Sequence, residues 1–248
     1  MPSYVKDAGV WKPESTWVRD AGVWKPAPSR YVKDAGVWKP VIEPAVLTYI
    51  GSNQNAADAA SYNFAAQSIG VAAFDRLVIV AAASRATVNI AATALTIGGS
   101  PANIHANSTS GLGSAAIASL LVPAGTAADI GVAYSTTTRR CAISIYTLNK
   151  YLSATPTAAV APAALGSTTT VTATLDVPAY GAALFLAGNG FPSPITWTDA
   201  TENMDTSVEG VMQYSTAIRQ PTADELAHNY TATWANADGG WIAGVAWR

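Results

Sequence analysis

Arg76-Leu-Val-Ile-Val-Ala81 is a continuous apolar run behind one arginine, and the apolar character continues to Ala83. It is too short for an ordinary helix and rich in β-branched residues, so it reads as a strand buried on both faces. The flanks repeat the pattern of short strands and turn signals. Val46 to Ile50 stops at Gly51-Ser-Asn-Gln-Asn55. Ala86 to Ile97 alternates in part, with Val88 and Ile90 inward, and stops at Gly98-Gly-Ser-Pro101. Ala115 to Val122, Asp129 to Tyr134 and Arg140 to Leu148 follow, and Cys141, Ile143, Ile145 and Thr147 share one face of the last.

Residues 154–167 read as a Pro- and Ala-rich connection. Beyond it come Thr168 to Leu175, Ala182 to Ala187, Ile195 to Thr198, Val211 to Ile218, His228 to Trp234 and Trp241 to Trp247. Strands at such spacing, without sustained helical periodicity, predict an all-β sandwich or barrel. One short helix is allowed, at Asn55 to Ala60 or Ala223 to Ala227. Alanine is a poor strand former, so its abundance implies sheets in close approach, with Phe185, Trp197, Trp234 and Trp241 filling gaps. The apolar strand ending at Arg248 belongs in the core.

Before this body stands a phrase repeated three times: Tyr4-Val-Lys-Asp-Ala-Gly-Val-Trp-Lys-Pro13, Trp17 to Pro26 and Tyr31 to Pro40. The third copy is identical to the first, and the second changes only Trp17 and Arg19. Asp7-Ala-Gly9 between two β-prone runs reads as a three-residue hairpin loop, with Gly9 supplying the left-handed position. That loop would set Val5 opposite Trp11, Tyr4 opposite Lys12 and Lys6 opposite Val10, and Pro13 would end the unit. A lone hairpin is marginal in water. Tyr4, Val5, Trp11, Trp17, Val18, Trp24, Tyr31, Val32 and Trp38 are therefore candidate docking residues, covered by a partner protein, by neighbouring copies or by the chain itself. Short proline-bearing spacers separate the copies and a third leads into the body, giving a 1–44 arm (repeats 4–13, 17–26 and 31–40) and a 45–248 domain.

Half of the 248 residues are apolar and 12% are charged, a balance suited to a rigid β-rich structural protein. The net charge of −2 is unevenly placed. Residues 1–40 carry seven Lys and Arg against four acids, or +3, and the rest carry seven against twelve, or −5. The arm thus complements an acidic surface. The opening residues lack the apolar core of a signal peptide, no apolar run is long enough to span a bilayer, and the single Cys141 excludes an internal disulfide framework. These features fit assembly in a reducing cytoplasm without membrane insertion.

Candidate chemistry is sparse. Gly111-Leu-Gly113-Ser-Ala-Ala116 spells a dinucleotide fingerprint without the strand and helix that such a loop needs. Asp199, Glu202 and Asp205, with Glu209 nearby, could serve paired-carboxylate or calcium chemistry, or simply keep a sheet edge soluble. His105 and His228 lack the companions of a zinc site. Cys141 beside Arg139 and Arg140 is either an activated thiol or, in its apolar strand, a small buried side chain. The two arginines alone make no nucleic-acid patch. Tyr180, Trp197, Tyr214 and Tyr230 could stack on sugars or fill a core. The reading is of a non-enzymatic chain without cofactor or metal.

The Trp-Lys repeats resemble short phrases at the N-termini of fibre and spike proteins of tailed phages and phage-like gene transfer agents. The body is similar to a domain of such virion proteins at Tyr49-Ile-Gly-Ser52, Arg76-Leu-Val-Ile-Val80, Leu95-Thr-Ile-Gly-Gly99, Arg140-Cys-Ala-Ile-Ser-Ile-Tyr146 and Val245-Ala-Trp247. The resemblance implies a jelly-roll-like sandwich in a virion, assembled in the host cytoplasm. It also implies capsid or tail proteins as partners, homo-oligomerisation and host attachment, by a glycan or by a carried receptor-binding protein. It transfers no catalytic residues.

Overall fold

The computed structural model describes residues 43–108, 113–162 and 165–248, and, ahead of them, the backbones of six strands within 1–42. Those six are β1 (Tyr4–Asp7), β2 (Val10–Pro13), β3 (Trp17–Asp20), β4 (Val23–Pro26), β5 (Arg30–Asp34) and β6 (Val37–Val41). They form three separate antiparallel hairpins, one per repeat. The register differs from expectation by one residue. Asp7 pairs Val10, Lys6 pairs Trp11, Val5 pairs Lys12 and Tyr4 pairs Pro13. The other two copies keep the scheme, with Asp20 opposite Val23 and Asp34 opposite Val37. Only two residues separate the paired positions, the hairpin length whose twist best matches its strands, so the aspartate stays in the ladder. Nor does Pro40 end its unit, because β6 runs on to Val41. The docking residues' side chains lie outside the described residues.

The chain divides between Glu43 and Pro44 into the arm and a single body. The body is all-β, and among the described residues there is no helix. Asn55 to Ala60, one of the allowed helices, lies inside a strand. Ala223 precedes another strand, β20 (Glu225–Trp247), and Ala227 belongs to it.

The first part of the body comprises β7 (Val46–Ser68), β8 (Leu77–Arg85), β9 (Ala92–Ile97), β10 (Ser100–Pro101), β11 (Asn103–Ser108), β12 (Gly113–Leu121) and β13 (Ala127–Asn149). β7 and β13 are 23 residues long and pair along nearly their whole length. They serve two sheets in turn. Over Arg139 to Leu148, β13 also pairs β8, whose other edge holds β12 and then β11. Over Ile130 to Tyr134 it pairs β9 instead, with β10 beyond. The register shifts between Ala133 and Thr138, where one sheet gives way to the other. Counting each portion of β7 and β13 separately, these are nine strands in two sheets, paired as in a jelly roll with β11 as an added edge strand.

The remainder repeats it. β14 (Ala158–Val160) and β15 (Leu165–Val177) take the places of the two portions of β7. β16 (Ala182–Asn189), β17 (Thr196–Thr198), β18 (Thr201–Val208), β19 (Met212–Arg219) and β20 (Glu225–Trp247) match β8, β9, β11, β12 and β13. The same pairs recur: β16 with β20 and β19, β18 with β19, and β15 and β17 with β20. Even the register corresponds. Leu148 faces Leu77 and Tyr146 faces Ile79, just as Trp247 faces Ala182 and Val245 faces Leu184.

Strand alternation then builds three cores. Leu77, Ile79, Ala81 and Ala83 point into the layer between the two jelly rolls, against Leu184, Leu186, Trp241 and Trp247. Val78, Val80 and Ala82 fill the first jelly roll, and Ala183, Phe185 and Ala187 fill the second. A strand with a core on each side has no polar face, which is why the run 77–83 is unbroken. Small residues let the large ones in. A Cβ on Gly113 or Gly188 would lie 2.6 or 2.4 Å from the Trp241 indole. Trp241 is fully buried, and roughly 200 Å² of aromatic surface at about 25 cal/mol per Å² is worth about 5 kcal/mol before entropic costs.

Two local expectations change. The strand expected over 86–97 begins only at Ala92, and Val88, expected inward, is half exposed on the connection before it. Arg76 lies just ahead of β8 and is completely buried. Its guanidinium donates to the carbonyls of Val122, Gly70, Ala124 and Gly125 at 2.7–2.9 Å.

Candidate functional site

The acidic stretch is an edge feature. Asp199 occupies the tight turn between β17 and β18 with φ 66°, and its carboxylate meets His228 Nε2 at 3.2 Å. Glu202 and Asp205 lie on β18, the outermost strand of its sheet, across a register shift between Glu202 and Met204. Asp205 accepts the Ile195 amide at 3.0 Å and the Gln213 carboxamide at 2.7 Å. Glu202 accepts the Ser215 hydroxyl at 3.4 Å, and Ser215 Oγ accepts the Trp197 indole N–H at 2.8 Å. Burial raises the pKa of both acids, and for Glu202 the neighbouring Asp205 charge adds to it. Among the described residues no group of three or more His, Cys, Asp or Glu is placed to hold a metal. The arrangement spends carboxylate acceptors on the chain's own donors, tying the segment before β17 to the edge.

The four candidate stacking aromatics are not equivalent. Tyr214 and Tyr230 are fully buried, which corrects the expectation that they could present a face to sugar. Tyr214 donates to the Ile143 carbonyl at 2.9 Å, and Tyr230 lies 4.3 Å from the Phe185 ring with its hydroxyl 2.6 Å from Glu225. Arg219 grips that same carboxylate with two guanidinium nitrogens, holding the Glu225 pKa below the ordinary value. Trp197 is half-buried, with its ring 6.1 Å from Phe185. Tyr180 alone of the four is exposed, in a left-handed turn with φ 57°.

Where the first jelly roll's edge strand β7 meets β18, a cavity of about 240 Å³ is lined by Ser52, Asn53, Gln54, Thr206 and Tyr214. Every group there is an uncharged hydrogen-bonding one, and the buried Tyr214 ring offers no stacking surface.

The remaining candidates fall to structural roles. Cys141 is fully buried and burial pushes its thiol up to about 12, so it is no activated nucleophile. Arg140 pairs with Asp58 at 2.6 Å. His105 meets Ser119 Oγ at 2.7 Å and sits edge-on to Trp247. Gly113 opens β12, while Gly111 and Leu112 of the supposed fingerprint fall outside the described residues.

Compared with protein-family models and with curated proteins, the chain matches none. The sequence reading missed Arg76 as a clamp and missed Val71, Phe74 and Leu152 as exposed apolar side chains. The available signal for the last three was large apolar residues inside turn-like segments such as Gly70-Val-Ala-Ala-Phe-Asp75.

Proposed function

We propose that the chain is a structural protein of a phage or gene-transfer-agent particle, a head spike or tail fibre subunit. The arm anchors it to capsid or tail proteins, and the body faces outward for host attachment or carries a receptor-binding protein. The observation that carries this reading is the arm: three repeats, each paired only within itself as a two-stranded sheet. Two strands alone are marginal, so a series of such units makes sense when a partner covers them. Series attachment makes the second and third contacts intramolecular and raises avidity by roughly 10² to 10⁴. The spacers reach at most about 14–18 Å, so the acceptor sites must be neighbours, as on a ring or capsomer. A body that is all-β among its described residues, with Asp205 and Glu202 bonded to the chain's own donors, supports a non-enzymatic role, and the low charge of the chain is consistent with homo-oligomers in the assembled particle.

The test is retention on purified particles. Replacing Trp11, Trp24 and Trp38 by alanine one at a time weakens incorporation in steps, and the triple variant is lost while its body stays folded. Full retention of the triple variant would overturn the arm as anchor.

A further inference from the structure

Among the described residues, the two ends of the sandwich differ in their exposed apolar side chains. One end gathers the connections 69–76, 122–126, 178–181 and 220–224 and the segment after β13. The chain also enters the body there, where the Ala45 amide donates to the Tyr180 carbonyl. Of the nine large hydrophobic side chains most exposed on the body, seven lie at this end. Val71 is 85% exposed, Phe74 81%, Leu226 76%, Leu152 68% and Leu121 50%, and Val46 and Tyr180 join them. Among the described residues the opposite end has Val88 and Phe191, on the equivalent connections of the two jelly rolls.

These side chains are held out by a rigid base. The loop carrying Val71 and Phe74 is fastened from beneath by buried Arg76, through Gly70 on one side and Ala124 and Gly125 on the other. Asp75 Oδ2 accepts the Lys150 amide at 3.2 Å, which brings the Leu152 segment alongside. Taking full side-chain areas of roughly 150–230 Å², the exposed fractions amount to about 800 Å² of apolar surface per copy. Spread over one end of the body, that is about one partner's share of a standard interface.

We propose that this end is where two copies of the chain meet. This deepens the homo-oligomer part of the functional reading and rests on that part alone, with no need for a particle. Charge selects a second copy over a strongly acidic or basic partner. Charged groups of both signs share this end: Asp75, Asp176 and Asp224 with Lys150 and Arg248, with Asp75 on the Lys150 backbone amide and Asp224 and Arg248 on the amide and the carbonyl of the same Ala179. Such an end carries no field of one sign against its own copy, and two such ends together supply area of the size a stable pair needs. The arms of both copies would then start at one place, doubling the hairpins presented to an acceptor.

Analytical ultracentrifugation of the full chain over a micromolar concentration series tests this. The unmodified chain is expected to sediment as a concentration-dependent dimer. V71S/F74S is expected to weaken it at least about 100-fold, because central aromatic anchors dominate such contacts. Both side chains are solvent-exposed, so the fold should survive, and L152E is a second, independent disruption of the same surface. A strictly monomeric parent overturns the proposal. So does dimerisation untouched by V71S/F74S and L152E, or equally sensitive to V88S/F191S at the far end. Loss of association only when the three arm tryptophans are replaced would assign self-association to the arm and also overturn it. Failure of particle retention leaves this measurement unaffected, so the two readings fail separately.

Discussion

Replacing Arg76 by methionine removes a buried charge and four hydrogen bonds at once. The guanidinium lies at 0% exposure and its partners are all carbonyls, at 2.7–2.9 Å. Each bond to a charged donor contributes about 1.5–3 kcal/mol, and an orphaned buried acceptor costs about 1–3 kcal/mol. The four do not add, because Ala124 and Gly125 are exposed and water can take over their carbonyls. The Gly70 and Val122 carbonyls are less accessible, and methionine also spares the cost of burying a charge. The net loss should be about 3 kcal/mol, or roughly 6–12 °C in Tm for a body of this size. Lysine should recover less than half of it, since a single ammonium cannot reach acceptors spread around a planar fork. Urea unfolding followed by tryptophan fluorescence measures both variants. A methionine variant within about 0.5 kcal/mol of the parent would refute the clamp, because that is the range of ordinary surface changes.

Gly188→Ala should cost about 2–3 kcal/mol, because its Cβ would sit 2.4 Å from the Trp241 indole nitrogen. The loss should shrink when Trp241→Phe is present, and thermal melts of the double-mutant cycle give that coupling. Glu202→Gln should raise Tm at pH 7. The folded pKa of Glu202 is raised, so its charge destabilises the fold at neutral pH, and that penalty is relieved as pH falls through the raised folded value towards the unfolded one. Glu225→Gln should do the reverse. Its folded pKa is depressed by Arg219, so its contribution is present above the unfolded value and is lost as pH falls through the folded one. Melts of both variants between pH 3 and pH 7 check the two signs.

The strands were legible wherever composition and periodicity agreed. The run at 77–83 announced a doubly buried strand because β8 separates two cores. Trp241 and Phe185 were rightly expected to fill gaps among small residues. The duplication was not legible, because equivalent positions share burial but not identity: Leu77 corresponds to Ala182 and Tyr146 to Val245. Pairing conserves that relation and spelling does not. The 23-residue strands were cut into pieces because each carries a bend where its sheet changes, and there the hydrophobic pattern changes as well. The hairpin register escaped because Asp-Ala-Gly suits a two-residue and a three-residue loop equally, and only the ladder decides. At the site level, burial separated Tyr180 from Tyr214 and Tyr230, which local sequence cannot do for aromatics in similar strands.

Two jelly rolls in one chain need a reason to behave as one body rather than as two domains on a linker. The reason lies in the shared middle layer, which exists only when the inner sheets meet. Separating them would expose Ile79, Tyr146, Leu184, Trp241 and Trp247 together. Dispersion and burial alone would tolerate sliding between two Ala-rich sheets. Hydroxyls prevent it. Tyr146 donates to Thr216 Oγ1 at 2.7 Å and Tyr214 donates to the Ile143 carbonyl at 2.9 Å, each bond crossing from one jelly roll to the other. Buried polar ties of this kind contribute little net stability but penalise every misaligned packing, because a shifted register would leave them unmet. Arg85 does the same at the rim, donating to the Val211 carbonyl at 2.6 Å. A body fixed in this way has little left to hide except at its ends, and among the described residues the end where Ala45 enters is the more apolar.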